Sequence, residues 1–353
     1  MSDDRSTNKR SLPGGGVTRR QVPLSAHDIV TEQPLASGRW FPRVVRPALD
    51  GVDLVAWLGQ NRPHIQEKLQ RDGAILFRGF DVSTVDKFEQ VITAACGQAL
   101  RYTERSSPRS EVKGNVYTST DYPPAYRIFL HNENSYARTW PQKLLFCCIK
   151  PSTERGETPI ADTRGVYNRI DPKIRDRFIE KKVMYVRNFS PGLGLAWSTV
   201  FGTTDRGEVE AYCRTAGYET EWLDSERLRT RRIGQAIARH PKTGDTTWFN
   251  HATFFHVSTL EPAVRDALLA QFPEDELPNN TYYGDGTPIE ASVMDELRDA
   301  YERETIMFPW ELGDVLILEN MITAHARSPF AGERKILVGM TDAMSIEQLQ
   351  NAG

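Results

Sequence analysis

Short apolar runs bounded by glycine, proline and charged turns recur along this chain, and this pattern constrains the possible folds more than any other feature. Residues 74–77 (AILF) lie between Gly73 and Gly79, and residues 315–318 and 336–340 follow glycine-containing turns. Such runs are typical of buried strands. The sequence contains neither a GxGxxG fingerprint nor a GxxxxGK[ST] loop, so it does not indicate the nucleotide-phosphate sites of those kinds. We predict a mainly β protein with helical insertions, built as an antiparallel barrel or jelly roll.

Other elements follow from hydrophobic periodicity and from residues that favour helix ends. Ser83 and Asp86 form a capping-box variant before one helix, and Asp171 with Pro172 begins another. The sequence PKTGD at residues 241–245 consists of residues that favour turns, and it predicts a hairpin between the strands on either side. The remaining predictions are helices at residues 52–59, 63–71, 205–216, 261–272 and 290–304, and strands at residues 144–149, 184–187, 233–239 and 246–250.

Composition and charge narrow the class of protein. The chain has 353 residues, of which 39% are hydrophobic and 26% charged, and its formal net charge is −3. This near balance argues against a nucleic-acid partner or an anionic membrane surface. No apolar run approaches the roughly 18 residues of a membrane helix, and the N-terminal residues lack the apolar segment of a secretory signal. We therefore expect a cytoplasmic protein whose four cysteines are reduced core residues.

The chain shows no long internal linker, so we predict a single domain over residues 23–345. Residues 1–22 are polar and contain a Pro-Gly-Gly-Gly run, which indicates a disordered tail. Residues 346–353 are expected to form a second tail. The sequence does not indicate an oligomeric state.

One histidine stands out because an acid follows it two positions later. His131-Asn132-Glu133 would place an imidazole and a carboxylate on the same face of an extended segment, where both could bind one ion. About one such match is expected by chance in a chain with seven histidines and 47 acidic residues. The motif alone is therefore weak evidence for a metal site.

Residues far downstream strengthen this interpretation. His325 follows the apolar run at residues 315–318, and Arg334 begins the next predicted strand nine residues later. A histidine leaving one strand and an arginine entering the next can face the same mouth of a barrel. Two histidines and one carboxylate form the ligand set that leaves three open positions on an octahedral ferrous ion.

With these residues in place, the chain resembles the taurine dioxygenase (TauD/TfdA-like) family of iron(II)/2-oxoglutarate oxygenases. Within that family it looks most like clavaminate synthase and the SyrP-like hydroxylases. The likeness extends over roughly residues 72–342. It is carried, in order, by the segments HNENSYARTWPQKLLFCC, GETPIAD, TTWFNHATFFH, YGDGTPIE and FPWELGDVLILENMITAHARSPFAGERKILVGM.

The resemblance implies a double-stranded β-helix, a cupin-like jelly roll, as the core. It implies His131, Glu133 and His325 as ligands of Fe(II), and Thr158 with Arg334 as the pair that binds 2-oxoglutarate. The charges of this assembled site sum to zero, because a ferrous ion with one carboxylate carries +1, 2-oxoglutarate brings −2 and Arg334 brings +1. A buried site favours such neutrality. The far carboxylate of the keto acid matches the planar fork of an arginine. O₂ takes the remaining iron position.

Weaker candidates for substrate contact flank these motifs. They are Arg127, Asn134, Tyr136, Trp248 and Asn250. Arg127 is of interest because a cation near the iron could hold a substrate carboxylate, although an ion pair at a strand edge explains it equally well.

Four further residues near the motifs are interpreted as structural. His251 and His256 are five positions apart, which suits neither a helix face nor a strand face, so we expect packing or pocket-wall roles. Arg327 and Lys335 are expected to be solvated charges.

The resemblance implies a dioxygenase that decarboxylates 2-oxoglutarate to succinate and CO₂ and hydroxylates its substrate. The expected substrate is an amino acid or an amino-acid-derived natural-product intermediate, free or bound to a carrier protein. Family halogenases replace the acidic ligand with a small residue, so Glu133 predicts that this chain does not halogenate. The alternatives are desaturation, epoxidation or cyclisation at the same iron, a zinc hydrolase, and a non-catalytic binding protein of the same fold.

Overall fold

The computed structural model of the chain describes residues 29–36, 38–101, 110–120 and 122–350. The predicted tail at residues 1–22 lies outside these residues. The strands are β1 (Val30–Ala36), β2 (Arg39–Pro47), β3 (Ala74–Phe77), β4 (Glu111–Lys113), β5 (Val116–Thr118), β6 (Ile128–His131), β7 (Thr139–Lys150), β8 (Glu154–Arg155), β9 (Ile160–Asp162), β10 (Val183–Phe189), β11 (Glu219–Trp222), β12 (Leu228–Gly234), β13 (Ile237–Arg239), β14 (Thr246–Trp248), β15 (Asn279–Tyr283), β16 (Thr305–Ile306), β17 (Val315–Glu319), β18 (Thr323–Arg327), β19 (Phe330–Ala331) and β20 (Lys335–Ser345).

Helices connect and cover these strands. They are α1 (Leu54–Asp72), α2 (Val85–Ala95), α3 (Thr163–Arg169), α4 (Pro172–Lys181), α5 (Trp197–Phe201), α6 (Arg206–Ala216), α7 (Ala252–Phe255), α8 (Pro262–Leu269), α9 (Ala291–Glu304) and α10 (Ile346–Gln350), with short 3₁₀ turns at Val257–Thr259 and Glu274–Glu276. Within the described residues, no helix is both long enough and apolar enough to cross a bilayer.

Two sheets form the centre of the fold. The larger has eight strands in the order β1-β2-β3-β17-β7-β20-β5-β4, and the smaller has four in the order β16-β9-β18-β6. Every pairing within them is antiparallel except that of β2 with β3, which the long helix α1 connects. One apolar cluster joins the inner face of the larger sheet to Ile160 of the smaller sheet. The predicted mainly β jelly roll with helical insertions is confirmed.

The central strands of the larger sheet are buried on both faces, and their side chains alternate between two cores. Cys148 belongs to the cluster between the sheets, whereas Cys147 belongs to the cluster under α1 and α2. Leu316 and Ile317 divide in the same way. This is the two-residue period of a strand, and it explains why the strand predictions around these residues hold.

A second four-stranded sheet, β11-β12-β10-β15, lies beyond the smaller sheet of the jelly roll. Its residues Tyr185 and Tyr283 share an apolar cluster with Ala324 of β18 and with Leu297 of α9. The cluster fixes β10 behind the strands that carry the candidate ligands.

Several local predictions are wrong. The two helices predicted at residues 52–59 and 63–71 are one helix, α1, which continues through Pro63. A proline in a helix interior loses one backbone hydrogen bond, but the buried side chains on both sides of Pro63 hold the helix together. Thr84, not Ser83, caps α2, since its side chain accepts from the backbone N–H of Lys87.

Two further boundaries differ from the predictions. The strand predicted at residues 233–239 is interrupted between β12 and β13, because β12 pairs with β10 and β13 forms the predicted hairpin with β14. The segment expected to be a tail from residue 346 begins with α10, and its Ile346 and Leu349 pack against Trp140 and Met321.

Candidate active site

Three predicted metal ligands converge at one edge of the smaller sheet. His131 at the end of β6 and His325 in β18 are direct partners across the antiparallel pair, and partners of this kind point to the same face. Their rings lie 4.3 Å apart between centroids, and His325 Nε2 is 4.0 Å from Glu133 Oε2. One ligand atom from each of the three residues lies within 4.8 Å of the others, and all three residues are buried.

A main-chain contact orients His131. Its Nδ1 is 2.9 Å from the carbonyl oxygen of Phe129, so Nδ1 carries the proton and donates to that oxygen. Nε2 is then the nitrogen that can bind a metal. A backbone carbonyl on the second ring nitrogen is a common support for a metal-binding histidine, because it fixes both the tautomer and the ring plane.

The loop that carries Glu133 is held by Asn320. The Asn320 Oδ1 accepts from the backbone N–H of Glu133 at 2.8 Å, and its Nδ2 donates to the carbonyl oxygens of Glu133 and Pro141 at 2.9 and 2.8 Å. Asn132 donates in turn to the backbone oxygen of Asn320 at 2.6 Å. The extended segment expected from His131 to Glu133 is therefore a turn after β6, and Asn134 in that turn has φ +56°.

Thr158 and Arg334 lie next to each other in a pocket that His131 also lines. Arg334 Nη2 is 3.4 Å from Thr158 Oγ1, which also accepts from the indole N–H of Trp310 at 3.2 Å. Arg334 Nε donates to the carbonyl oxygen of Gly156 at 2.8 Å. A narrow pocket between the two sheets contains both residues together with His131 and His325. A keto acid in this pocket could reach the ligand cluster at one end and a guanidinium at the other.

Arg334 remains a cation despite its surroundings. Burial lowers the pKa of its guanidinium to about 10, and the neighbouring Arg327 contributes to this lowering. The side chain is therefore protonated at neutral pH.

Arg327 is not the solvated charge that we expected. It is buried, it lines the same narrow pocket, and its two terminal nitrogens donate to the carbonyl oxygens of Tyr122, Pro123 and Tyr126 at 2.7–2.9 Å. The prediction failed because β18 ends at this residue and points it at a loop whose carbonyls need donors. Lys335 is exposed, as predicted.

A larger cavity of about 460 Å³ adjoins the narrow pocket. The two spaces share Thr120, Ile128 and His131 as lining residues. Most of the remaining wall of the larger cavity comes from β10, α7 and the segments before and after α8. These residues include Arg187, Asn188, Phe189, Leu195, Phe254, Phe255, Leu260, Leu277 and Asn279. A separate groove of about 750 Å³ between residues 47–55 and 79–90 contains none of the candidate ligands.

Of the five residues predicted to contact substrate, Arg127 alone lines this cavity. It lies at the exposed rim and its Nη1 is 3.4 Å from Glu302 Oε1. Asn134 belongs to the turn that follows Glu133. Tyr136 and Trp248 are fully buried in the apolar cluster behind β10.

Asn250 is also part of the scaffold and not of the cavity wall. Its side chain donates to the carbonyl oxygen of Ala236 at 2.6 Å and accepts from the backbone N–H of Ala252 at 2.9 Å, which fixes the start of α7. These residues were predicted because an aromatic or amide side chain lies close to a motif. That signal does not distinguish a residue of the cavity wall from a residue packed behind the wall.

His251 and His256 support the site without joining the ligand cluster. His251 packs edge-on against His131, with 5.7 Å between centroids, and its Nδ1 lies 2.6 Å from Ser135 Oγ. Burial lowers the pKa of His251 well below its usual value, so the ring is neutral. His256 caps the 3₁₀ turn after α7 through its bond from the backbone N–H of Ser258. The packing roles predicted for both histidines agree with these contacts.

The sequence reasoning missed three residues: Asn320 and Trp310, which bond to Glu133 and Thr158, and Arg187, which lines the larger cavity. Asn320 and Trp310 lie inside the segment that carried the family likeness, but nothing in a single sequence shows that their side chains face Glu133 and Thr158. Arg187 had a weak signal, since it is a cation within an apolar strand that we predicted at residues 184–187.

The donor set fits a ferrous ion. Two imidazoles and one carboxylate, held on one side of a common point, form the facial arrangement that leaves coordination positions open. The ligand atoms are buried, and the support of His131 by Phe129 and of Glu133 by Asn320 is of the kind that metal sites require.

Comparison with known proteins agrees with this geometry. The family described as "Taurine catabolism dioxygenase TauD, TfdA family" matches residues 33–341. The dapdiamide synthesis protein DdaC of Enterobacter agglomerans is 41% identical over 310 residues, which cover 88% of this chain and 94% of DdaC. A clavaminate synthase-like protein of Arabidopsis thaliana is 28% identical over 331 residues, which cover 88% of this chain and 96% of that protein.

Solved structures share the fold at low sequence identity. PvcB of Pseudomonas aeruginosa superimposes with a TM-score of 0.54 at 14% identity, over 90% of this chain and 92% of PvcB. A second structure of PvcB, described as an Fe, alpha-ketoglutarate dependent oxygenase from an isonitrile synthetic pathway, gives a TM-score of 0.53 at 14% identity, over 92% of this chain and 96% of that one. From the family match and the relative at 41% identity, we conclude that this chain belongs to the TauD/TfdA family of oxidoreductases, dioxygenases that depend on iron(II) and 2-oxoglutarate.

Proposed function

We propose that His131, Glu133 and His325 hold the ferrous ion of this enzyme and that Thr158 and Arg334 hold its 2-oxoglutarate. The observation that carries the proposal is that His131 lines both the narrow pocket of Arg334 and the cavity of about 460 Å³. A metal held at His131 would therefore be within reach of a keto acid in the first space and of a substrate in the second.

Iron held by these three residues would couple the reduction of O₂ to the decarboxylation of 2-oxoglutarate to succinate and CO₂, and would so oxidise the substrate. The residues of the chain bind and orient. Arg334 and Thr158 fix the far carboxylate of the keto acid. Phe254, stacked on His131 with 4.4 Å between centroids, forms an apolar wall beside the metal site and excludes water from it.

We further propose that the reaction is hydroxylation of an aliphatic C–H bond in an amino acid or an amino-acid-derived intermediate of natural-product biosynthesis. DdaC, at 41% identity, is a protein of dapdiamide synthesis, which supports a biosynthetic role. The mixed wall of the cavity, with leucine and phenylalanine side chains beside Arg187 and two asparagines, suits a substrate of this kind.

Turnover assays test the proposal. The purified protein with Fe(II), ascorbate and 2-oxoglutarate should form succinate, and an amino-acid-derived substrate should gain 16 mass units. A product lighter by two mass units would instead indicate desaturation or cyclisation, and a gain of 16 at a double bond would indicate epoxidation. Absence of succinate with every substrate offered would contradict an oxygenase role for this site.

Substitution of the carboxylate ligand tests the residue assignment. Glu133→Ala should abolish hydroxylation of the substrate and weaken Fe(II) binding measured by equilibrium dialysis, because the carboxylate ligand is lost. Glu221→Ala is a matched control. Glu221 pairs with Arg231 in the sheet of β11 and β12, which does not contain the candidate ligands. Wild-type turnover by Glu133→Ala would remove Glu133 from the ligand set.

We also propose that the protein works in the reducing cytoplasm and takes a small-molecule substrate, either free or joined to a carrier protein. All four cysteines are buried thiols without disulfide bonds. Burial raises the pKa of the Cys96 thiol to about 11, so it is an unreactive core residue. Comparing turnover of one substrate as the free acid and as the carrier-bound thioester decides between the two forms.

A further inference from the structure

We propose that Arg187 and Asn279 form the subsite that binds the amino-acid end of the substrate, with Arg187 on a free carboxylate and Asn279 on the adjacent N–H group. This inference rests on the proposed function, because it takes the cavity beside His131 as the substrate site. It assigns a role to two residues that neither hold the metal nor contact the 2-oxoglutarate pocket.

Arg187 occupies a position where the strand otherwise places apolar side chains. Val183, Tyr185 and Phe189, at two-residue spacing along β10, all belong to apolar clusters, and Arg187 lies on the same face between the last two. Its side chain is 7% exposed and lines the substrate cavity. Arginine is seldom buried among apolar side chains, and a charge in a cleft is a sign of function.

Aromatic rings hold the Arg187 guanidinium in place. Its central carbon lies 5.1 Å from the ring centroid of Phe189 and 5.6 Å from that of Tyr136. Contacts with ring faces favour the cation and restrict the planar fork. An oriented fork of five N–H donors matches a carboxylate, and less conformational entropy is lost when the bond forms.

Asn279 supplies a complementary group beside it. Arg187 and Asn279 are direct partners across the antiparallel pair of β10 and β15, so their side chains leave the same face of the sheet. Asn279 also lines the cavity, and its Oδ1 is buried and accepts no hydrogen bond from the described part of the chain. A buried amide oxygen of this kind is suited to an N–H donor of a ligand.

The two groups together recognise a carboxylate with a nitrogen one carbon away, which is the pattern of an amino acid or an N-acyl amino acid. Among the described residues that line the cavity, the other charged side chains do not compete for this role. Arg127 is at the exposed rim beside Glu302, and Glu261 carries the opposite charge. The remainder of the substrate then extends along the apolar wall toward His131. The part of the substrate in this cavity must therefore carry a free carboxylate, even if another part is joined to a carrier.

Paired ligands test this inference. The anaerobic enzyme loaded with Fe(II) and saturating 2-oxoglutarate is titrated calorimetrically with N-acetyl-L-amino acids and N-acetyl dipeptides, each as the free acid and as the amide. Saturating 2-oxoglutarate keeps these acids away from Arg334. We expect the best acid to bind at least about tenfold more tightly than its amide, as for a charge-assisted hydrogen bond that replaces a neutral one.

Two variants and one control locate the preference. Arg187→Gln should reduce the ratio of acid to amide affinity to about one, and Asn279→Leu should weaken both members of a pair while keeping the ratio. Arg231→Gln makes the same change of charge on the neighbouring strand β12, where Arg231 pairs with Glu221 and contributes nothing to the cavity wall, so the preference should persist. Melting curves confirm that each variant is folded.

Equal affinity for acids and amides in the wild-type protein would overturn the inference, and so would absence of binding by every acid. Retention of the acid preference in Arg187→Gln would overturn it as well. If Arg187→Gln does not fold, the wild-type comparison alone decides. Succinate formation separates the two proposals, because turnover without an acid preference rejects only the subsite, whereas absence of turnover rejects the proposed function.

Discussion

The guanidinium of Arg334 is the one charged group that we assign to 2-oxoglutarate, and its geometry makes replacement by lysine informative. Arg334→Lys keeps a cation but loses the planar fork, so the KM for 2-oxoglutarate should rise at least about tenfold. The effect should grow with pH. Burial leaves the pKa of Arg334 at about 10, so the wild-type side chain stays charged up to about pH 9. A lysine that loses as much by desolvation would titrate near about pH 8.

Steady-state succinate formation at pH 6.5 and pH 8.5 measures this effect. Arg303→Lys, on the exposed side of α9, is the control and should leave the KM unchanged at both pH values. A KM in Arg334→Lys that equals the wild-type value would mean that another cation holds the keto acid.

Asn320 organises the Glu133 loop through three side-chain hydrogen bonds, and its removal should affect both folding and metal binding. Asn320→Ala leaves the N–H and carbonyl of Glu133 and the carbonyl of Pro141 without their partner. We expect a loss of about 2–4 kcal/mol in the free energy of unfolding, measured by urea denaturation. Because Glu133 is then less well oriented, the affinity for Fe(II) should fall by about 10–100-fold.

Another buried asparagine provides the comparison for Asn320. Asn61 makes one side-chain bond, to the carbonyl of Trp57, far from the ligands. Asn61→Ala should cost about 1 kcal/mol of unfolding free energy and leave Fe(II) affinity intact. Equal Fe(II) affinity in both variants would show that Asn320 acts on stability alone.

At this scale, the sequence predicts residues that must have a particular chemistry. The roles proposed for Glu133 and Arg334 came from the family resemblance, and they concern a carboxylate ligand and a planar cation, which have few substitutes. The positions of Asn320 and Arg187 depend on which strands are neighbours, and the partners that define their roles are 187 and 92 residues away along the chain. Residue type alone therefore reveals neither of them.

Among the elements, the turn between α1 and β3 supports the strands that carry the site. Gly73 has φ +83°, and its carbonyl oxygen accepts from the side chain of Thr323 and the backbone N–H of Glu319 at 2.8 and 2.9 Å. A Cβ on Gly73 would lie 2.9 Å from side-chain atoms of Ile322 and Thr323. The turn thus requires glycine for its backbone conformation and for the close approach of the β17–β18 connection.

We expect Gly73→Ala to lower the free energy of unfolding by about 2–4 kcal/mol, as strain and overpacking add. Gly51→Ala is the matched control, because Gly51 has φ +75° but no atom within 4 Å of the added Cβ. It should lose only the backbone part, about 1 kcal/mol. If urea denaturation shows equal losses of unfolding free energy for the two variants, the contact with Ile322 and Thr323 does not contribute to the effect of the substitution.

Strand positions were easier to predict than interruptions of the elements. Leu316 and Ile317 point into two different cores, so the strand that carries them is buried on both faces. A strand of this kind appears in the sequence as a continuous apolar run. Pro63 was expected to begin a second helix, and only the tertiary contacts of residues on both sides explain why α1 runs through it. The break between β12 and β13 depends on their different partner strands, which local sequence does not encode.

For the molecule as a whole, the proposed function uses two spaces that are both lined by His131. The narrow pocket is lined by strands of both sheets of the jelly roll, whereas most of the wall of the larger cavity comes from β10, α7 and the segments around α8, outside those sheets. The jelly roll could be predicted from strand patterns and family likeness. The cavity wall could not, because it combines segments between residue 120 and residue 279 that are far apart in the sequence. This division suggests that substrate choice can change through the outer segments while the metal site stays fixed.

Buried histidines link the stability of the whole protein to pH. Burial, with a smaller contribution from Arg298, lowers the pKa of His256 to about 4. An unfolded chain binds this proton near about pH 6.5, so between pH 6.5 and 4 the unfolded state takes up more protons and stability falls as the pH falls. For His256 alone the loss of unfolding free energy from pH 7 to pH 5 is about 2 kcal/mol.

His256→Asn retains a side-chain acceptor for the N–H of Ser258 but cannot titrate. Urea denaturation of the metal-free protein at both pH values should therefore show a pH-dependent loss about 2 kcal/mol smaller in this variant than in the wild type. An identical loss in the two proteins would mean that His256 is protonated in the folded state, and would shift the origin of acid sensitivity to His251 and the carboxylates.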